Sequence, residues 1–338
     1  FQGSFITLFT VMFGGGIILF TESKKTRDES VMKLYYRRNF WLLVIGLAHA
    51  YLLWYGDILV MYALCAFWVV SVRDWEPLRQ LRLGLVLVAF PAFLYVLLGP
   101  GTSPGFWNTP ETVLRSQVET YQGGWLAQMD HRVETAFSQH TSTFLVQGFW
   151  RISGLMIVGM AAFKWGLLTN EREVGDYVRL FAAGILIGVP LILAGVWYIS
   201  SNGWSADAAL WWRPFNYVGA IIVAFGYIGG LMLYLKSYVR SLVTLALAAV
   251  GRTAFTNYLL QTVLATTVFY GHGLGLFGTV SRTEQMGFVV LIWAIQVPLS
   301  LLWLRRYRFG PIEWLWRTLT YGEVQPMRLD SESSASSE

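Results

Sequence analysis

The stretch Arg38-Asn39-Phe40-Trp41-Leu42-Leu43-Val44-Ile45-Gly46-Leu47-Ala48-His49-Ala50-Tyr51-Leu52-Leu53-Trp54-Tyr55-Gly56-Asp57 decides the class of the fold. Between its charged ends, His49 is the one side chain that ionises near neutral pH. About 20 largely apolar residues cross a bilayer as a helix, so 39–56 reads as a membrane pass. The turn Tyr55-Gly56-Asp57 separates it from a second apolar run, 57–72. Similar runs occupy 4–21, 83–99, 144–168, 178–199, 214–235, 250–270 and 286–304, so nine passes are expected. The apolar run 237–249 follows Lys236 and Arg240 and reads as an interfacial lead-in.

Composition agrees. Of 338 residues, 55% are hydrophobic and 13% charged, against roughly 25% charged in a soluble domain. This excludes a disordered chain, a disulfide scaffold and an ordinary soluble enzyme. What remains is an all-α, polytopic membrane protein in contact with the lipid bilayer. Cys65 is the one cysteine, and no Cys/His set has zinc spacing, so neither an intramolecular disulfide nor a metal is expected. The net charge of +5 sits in short loops beside apolar runs. It is therefore read as membrane orientation, not nucleic-acid binding.

If the 22–38 loop faces inward, the segments on that side carry nineteen Lys and Arg. The opposite segments carry four, Arg115, Arg132, Arg213 and Arg282. This asymmetry predicts a cytoplasmic C-terminus, with Phe1 outside. An outside start without a signal-sequence pattern implies an upstream helix and about ten passes in the full product. The large outer loop, 100–143, is introduced by the helix stops Gly99-Pro100-Gly101 and Ser103-Pro104-Gly105. Two short amphipathic helices, broken at Gly123-Gly124, are expected over 110–140. Residues 1–322 form one multi-pass domain on this reading, and 323–338 a polar, disordered cytoplasmic tail.

Ionisable and polar groups at membrane depth are costly and become site candidates. Arg38 and His49 are eleven residues apart, three helical turns plus roughly 20°, and so share a face about 16 Å apart along the axis. Arg38 would hold phosphate at the cytoplasmic mouth. His49 would act as a general base near mid-membrane. The competing reading makes them a positive-inside anchor and a helix-packing hydrogen bonder. Asp57 is either a carboxylate that orients a hydroxyl or a histidine, or an N-cap for the following helix. Thr253, Asn257 and Gln261 recur every four residues behind Arg252. They form either a polar stripe leading inward from a second phosphate contact or polar packing between helices. Arg151 lies inside a pass and is a candidate to pair with a carboxylate. His131 and His140 match no recognised ligand spacing, and His272 reads as interfacial. Gly14-Gly15-Gly16 lacks a phosphate-loop lysine and reads as a site of close helix packing.

Four ordered motifs carry a resemblance over essentially the whole chain. They are Leu8-Phe9-Thr10-Val11-Met12-Phe13-Gly14; Gly46-Leu47-Ala48-His49 with Trp54-Tyr55-Gly56-Asp57-Ile58-Leu59; Gly251-Arg252-Thr253-Ala254-Phe255-Thr256-Asn257-Tyr258-Leu259-Leu260-Gln261; and Arg306-Tyr307-Arg308-Phe309-Gly310-Pro311-Ile312-Glu313-Trp314-Leu315-Trp316-Arg317 with Leu319-Thr320-Tyr321-Gly322. Together they resemble the YeiB-like proteins of the bacterial inner membrane, a family of unknown function. That family is similar to the transmembrane acyltransferase superfamily, which includes the acyltransferase-3 O-acetylases and the lysosomal heparan acetyltransferase. Those proteins move an acyl group from cytoplasmic acyl-CoA to a sugar beyond the membrane. The acyltransferase-3 branch carries an Arg, ten residues and then a His on its third helix, a spacing that Arg38 and His49 match. A further essential His or Asn lies on or just after the first helix of those relatives, a point upstream of Phe1 on this reading, so that residue is either absent or carried by the expected upstream helix.

The resemblance implies acyl transfer to an extracytoplasmic sugar or lipid-linked acceptor. Acyl-CoA would be the co-substrate, held by Arg38 and Arg252. His49 and Asp57 would be catalytic, and Asn257 and Gln261 would line the acceptor side. The alternatives are a transporter of a small or lipid-linked solute and a non-catalytic membrane scaffold.

Overall fold

The computed structural model describes residues 2–22, 30–98 and 109–329. In chain order its helices are α1 (Gln2–Glu22), α2 (Ser30–Ala48), α3 (Leu59–Val69), α4 (Pro77–Leu98), α5 (Glu111–Gln122), α6 (Met129–Ser138) and α7 (Phe149–Lys164). There follow α8 (Val174–Ala183), α9 (Val189–Ser201), α10 (Ala206–Ser237), α11 (Leu242–Arg252), α12 (Ala254–Phe269), α13 (Arg282–Leu304) and α14 (Pro311–Tyr321). π-helical turns at His49–Leu53, Gln139–Gly148 and Gly184–Gly188 interrupt or join them.

Six helical stretches are long and apolar enough to cross a membrane: Gly3–Glu22, Pro77–Leu94, Met129–Lys164, Val174–Ser201, Ala208–Ser237 and Arg282–Leu304. The bent pair α11–α12 makes a seventh if it is one span. The chain is thus an all-helical, multi-pass membrane protein, but the nine full-length passes expected from the sequence are not found among the described residues. The run 57–72 folds as eleven α-helical residues and a three-residue 3-10 turn, about 21 Å at 1.5 Å per residue, against a hydrocarbon core of about 30 Å. The run 39–56 is the second part of a helix whose early turns carry Lys33, Arg37 and Arg38, and it ends at the π turn. The run 250–270 is broken at Thr253, where the chain bends by 80°. The two amphipathic helices expected over 110–140 are α5 and α6, although α6 continues through the π turn at Gln139–Gly148 into α7. The motifs Gly99-Pro100-Gly101 and Ser103-Pro104-Gly105 lie outside the described residues.

The chain divides into two compact units. The first comprises residues up to 32, 61–113 and 140–239. Its helices cross where side chains vanish. A Cβ on Gly14 of α1 would lie 1.9 Å from the Met156 carbonyl oxygen of α7, and one on Gly159 of α7 would lie 2.0 Å from that of Val11. Backbones meet this closely only through glycine, the packing device of membrane helices. Val11, Val88, Leu155, Tyr177, Ile228 and Met232 form the buried core beside this crossing.

The second unit comprises residues 33–60, 114–139 and 240 onward. Its organising feature is the break between α11 and α12. Thr253 leaves the helical region (φ −113°, ψ 24°), and α12 starts again with unsatisfied amides. Glu313 of α14 satisfies two of them: its Oε1 accepts from Phe255 N at 2.7 Å and Thr256 N at 3.0 Å. A carboxylate at a helix N-terminus also complements the helix dipole. Pro311 at the first turn of α14 fixes the approach that delivers Glu313. Residues 323–329 run back beside 306–308: Arg308 N donates to Met327 O and Leu329 N to Arg306 O. Residues 330–338 of the expected tail lie outside the described residues.

Candidate active site

The site lies wholly within the second unit. α2 delivers Arg38 and His49 on one helix. The chain then widens into the π turn, closed by Trp54 N donating to His49 O at 2.9 Å. Such turns are frequent at functional sites because they redirect a side chain without ending the helix. The reversal follows at Tyr55-Gly56. A Cβ on Gly56 would sit 2.4 Å from the Trp54 ring.

Asp57 is next, and it does two jobs. Its Oδ1 accepts from Val60 N at 2.9 Å, a capping bond at the start of α3. Its Oδ2 lies 2.6 Å from His49 Nδ1 and accepts from the Tyr258 hydroxyl at 3.2 Å. Asp57 is 1% exposed and His49 2%. A carboxylate this deep is tolerable only with donors around it, and three are present. Because Nδ1 faces a carboxylate, the network assigns the neutral ring's proton to Nδ1 and the lone pair to Nε2. Nε2 lies 3.0 Å from the Thr262 hydroxyl of α12. The Tyr258 ring packs against the imidazole, with centroids 5.1 Å apart.

Tyr258 and Thr262 form part of the wall of a cavity of about 760 Å³. Trp54, Tyr270, Phe277 and Phe288 give it apolar faces, and Gln261 and Gln285 bring amides. This size and lining suit a small amphiphilic ligand.

The α5–α6 hairpin braces the π turn. Leu52 O accepts from Arg132 Nη1 at 3.0 Å and from Trp125 Nε1 at 2.8 Å. Arg132 is 1% exposed, and its Nη2 donates to Gln128 Oε1. Counted in the sequence only as an outer charge, it is a buried brace behind the residues that carry His49.

The remaining candidates separate. The Arg38 guanidinium lies 4.2 Å from the centroid of the Trp316 ring, and Trp316 Nε1 donates to Arg38 O at 2.8 Å. Arg317 is close enough to exert like-charge repulsion on Arg38, and its Nε is buried without a hydrogen-bond partner. Arg252 is exposed and donates to the Arg308 carbonyl at 3.1 Å. Asn257 donates to the hydroxyls of Thr253 and Ser300, and Gln296 donates to its carbonyl. It is thus engaged between α12 and α13, while Gln261 faces the cavity. In the first unit, Arg151 lies 4.7 Å from the Tyr217 ring centroid and reaches the Thr7 hydroxyl and Gly3 carbonyl.

Sequence reasoning passed over Tyr258, Thr262, Arg132 and Arg317. The first two carry a signal. Tyr258, Thr262 and Thr266 form their own four-residue stripe, one position on from Asn257 and Gln261. Arg132 and Arg317 carry none, because a charge on an amphipathic helix looks alike whether it faces water or a buried carbonyl.

The chain is similar to known proteins over most of its length. The profile of DUF418, described as a protein of unknown function, matches residues 162–323. The uncharacterized protein YxaH of Bacillus subtilis is 32% identical across 96% of this chain and 81% of its own length. The uncharacterized protein YeiB of Escherichia coli K12 is 31% identical across 96% of this chain and 83% of its own length. No solved structure matches.

Proposed function

This chain belongs to the DUF418 family with YeiB and YxaH, and from that premise and the site geometry we propose that it is a membrane acyltransferase. It takes an acyl group from cytoplasmic acyl-CoA and places it on an extracytoplasmic hydroxyl, in the inner membrane of a bacterium and with its C-terminus in the cytoplasm. The observation that carries this reading is the buried dyad of His49 and Asp57, whose free Nε2 addresses a hydroxyl in the wall of a largely apolar cavity. Asp57 orients the ring and stabilises the imidazolium, and His49 removes a proton from the attacking hydroxyl. The low-dielectric surroundings strengthen both effects.

Arg38 and Arg317 supply the phosphate-binding end. Two neighbouring guanidiniums repel each other until an anion lies between them, and each can bind phosphate through two parallel hydrogen bonds. Arg252 contributes from the adjacent Arg308 segment. Gln261 stands in the cavity wall on the acceptor side, and Asn257 supports α12 from behind. The test is calorimetric titration of acetyl-CoA into the purified protein and its Arg38→Ala and His49→Ala variants. Binding lost in Arg38→Ala and kept in His49→Ala supports the reading. Absence of binding to a folded wild type overturns it.

One observation favours a second reading. The 80° break between α11 and α12 resembles the discontinuous helices of transporters. Solute flux in proteoliposomes without thioester cleavage would support it over acyl transfer.

A further inference from the structure

The dyad raises a question that general-base chemistry alone leaves open: which hydroxyl does His49 deprotonate? Nδ1 is committed to Asp57 at 2.6 Å, so Nε2 carries the lone pair. The group it meets is the Thr262 hydroxyl, at 3.0 Å. Thr262 is 7% exposed and stands in the wall of the cavity. Orienter, base and hydroxyl therefore stand in line, the constellation by which hydroxyl nucleophiles are activated. The backbone carbonyl of Tyr258 is the hydroxyl's other partner, at a long 3.4 Å, so little competes with the imidazole for the proton.

We propose that Thr262 is a covalent nucleophile and that acyl transfer proceeds in two half-reactions through an acyl-Thr262 ester. The proposal rests on the acyltransferase reading above. In the first half, His49 Nε2 takes the Thr262 proton as Oγ1 attacks the thioester carbonyl. The new C–O bond forms, the C–S bond breaks, and the thiol leaves with the proton returned by His49. In the second half, His49 takes the proton of the acceptor hydroxyl, whose oxygen attacks the ester carbonyl. The C–O bond to Thr262 breaks, and Oγ1 regains its proton. No electrons enter or leave, and the acyl thioester and the acceptor alcohol are the only reactants. A two-step route also suits the topology, because donor and acceptor need never occupy the cavity together.

The test is peptide mass spectrometry of the whole protein in lipid nanodiscs after incubation with acetyl-CoA and no acceptor. The expected result is one acetyl group on the peptide containing Thr262 in the wild type and in Thr262→Ser, and none in Thr262→Val or His49→Ala. Thr262→Val keeps the side-chain shape, and an unchanged melting temperature shows that it folds. It should lose on the order of 10³-fold or more in CoA release, while acetyl-CoA affinity stays within about twofold. His49-dependent CoA release that persists in Thr262→Val without an acetylated peptide overturns the proposal and leaves direct transfer standing. A folded wild type that neither binds nor cleaves acetyl-CoA overturns both.

Discussion

His49 Nδ1 and Asp57 Oδ2 lie 2.6 Å apart, eight residues separated in sequence and joined by a π turn and a tight reversal. The same carboxylate caps α3 through its other oxygen. One residue therefore fixes both the start of a helix and the orientation of a buried base, and substitutions can separate the two jobs.

Asp57→Asn keeps its one oxygen for Val60 N and so turns an amide NH2 donor toward His49 Nδ1. The imidazole then favours the wrong tautomer. Stability should fall by no more than about 1 kcal/mol, while turnover falls on the order of 10³- to 10⁴-fold. Asp57→Ala should lose the same activity and a further ~1 kcal/mol with the cap. Thermal melts beside CoA-release rates distinguish these patterns.

The phosphate end predicts an order of effects. Arg38→Ala and Arg317→Ala should each weaken acetyl-CoA binding by about tenfold or more, the loss of a charge-assisted contact. Arg252→Ala should change it less than threefold, since its guanidinium is exposed and already serves the Arg308 carbonyl. Calorimetry on the three variants reads this directly. An Arg252 effect equal to that of Arg38 would contradict the assignment.

Arg132 braces the π turn through Leu52 O. Arg132→Met keeps much of the volume and removes the donor, leaving Trp125 as that carbonyl's side-chain partner. Amide hydrogen exchange should quicken over residues 49–54 by about tenfold, as expected for the loss of ~1–2 kcal/mol of local protection. Exchange in α1 and α7 should stay as it was.

The crossing of α1 and α7 gives a test of the fold apart from the site. A Cβ on Gly14 would fall 1.9 Å from a backbone oxygen, which cannot rotate away. Gly14→Ala should cost several kcal/mol by forcing the helices apart. Gly16→Ala, where open space surrounds the position, should be neutral or slightly stabilising by helix propensity. Melting temperatures of the pair suffice.

The membrane class and helical nature of this chain could be read from its composition and from long apolar runs such as 4–21 and 286–304, because hydrocarbon thickness ties apolar length to span. The count of passes could not. Gly251 stands two residues before Thr253, but a lone glycine in an apolar run does not announce an 80° break, and the carboxylate that caps the restarted helix, Glu313, reaches Phe255 N from fifty-eight residues away. Arg38, His49 and Asp57 were visible because charge is rare in apolar runs. Thr262 was not, because threonine is common in membrane helices and usually bonds its own backbone. Only folding brings it to Nε2 from 213 residues away.

The most direct measurement of the central claim is acetyl-CoA-dependent CoA release by the purified protein in proteoliposomes, with wild type beside His49→Gln. Glutamine keeps a polar side chain in the buried site but cannot serve as a base. The account predicts turnover in the wild type, reduced at least about 10³-fold in a His49→Gln protein that still binds acetyl-CoA. Equal release by both proteins would contradict it.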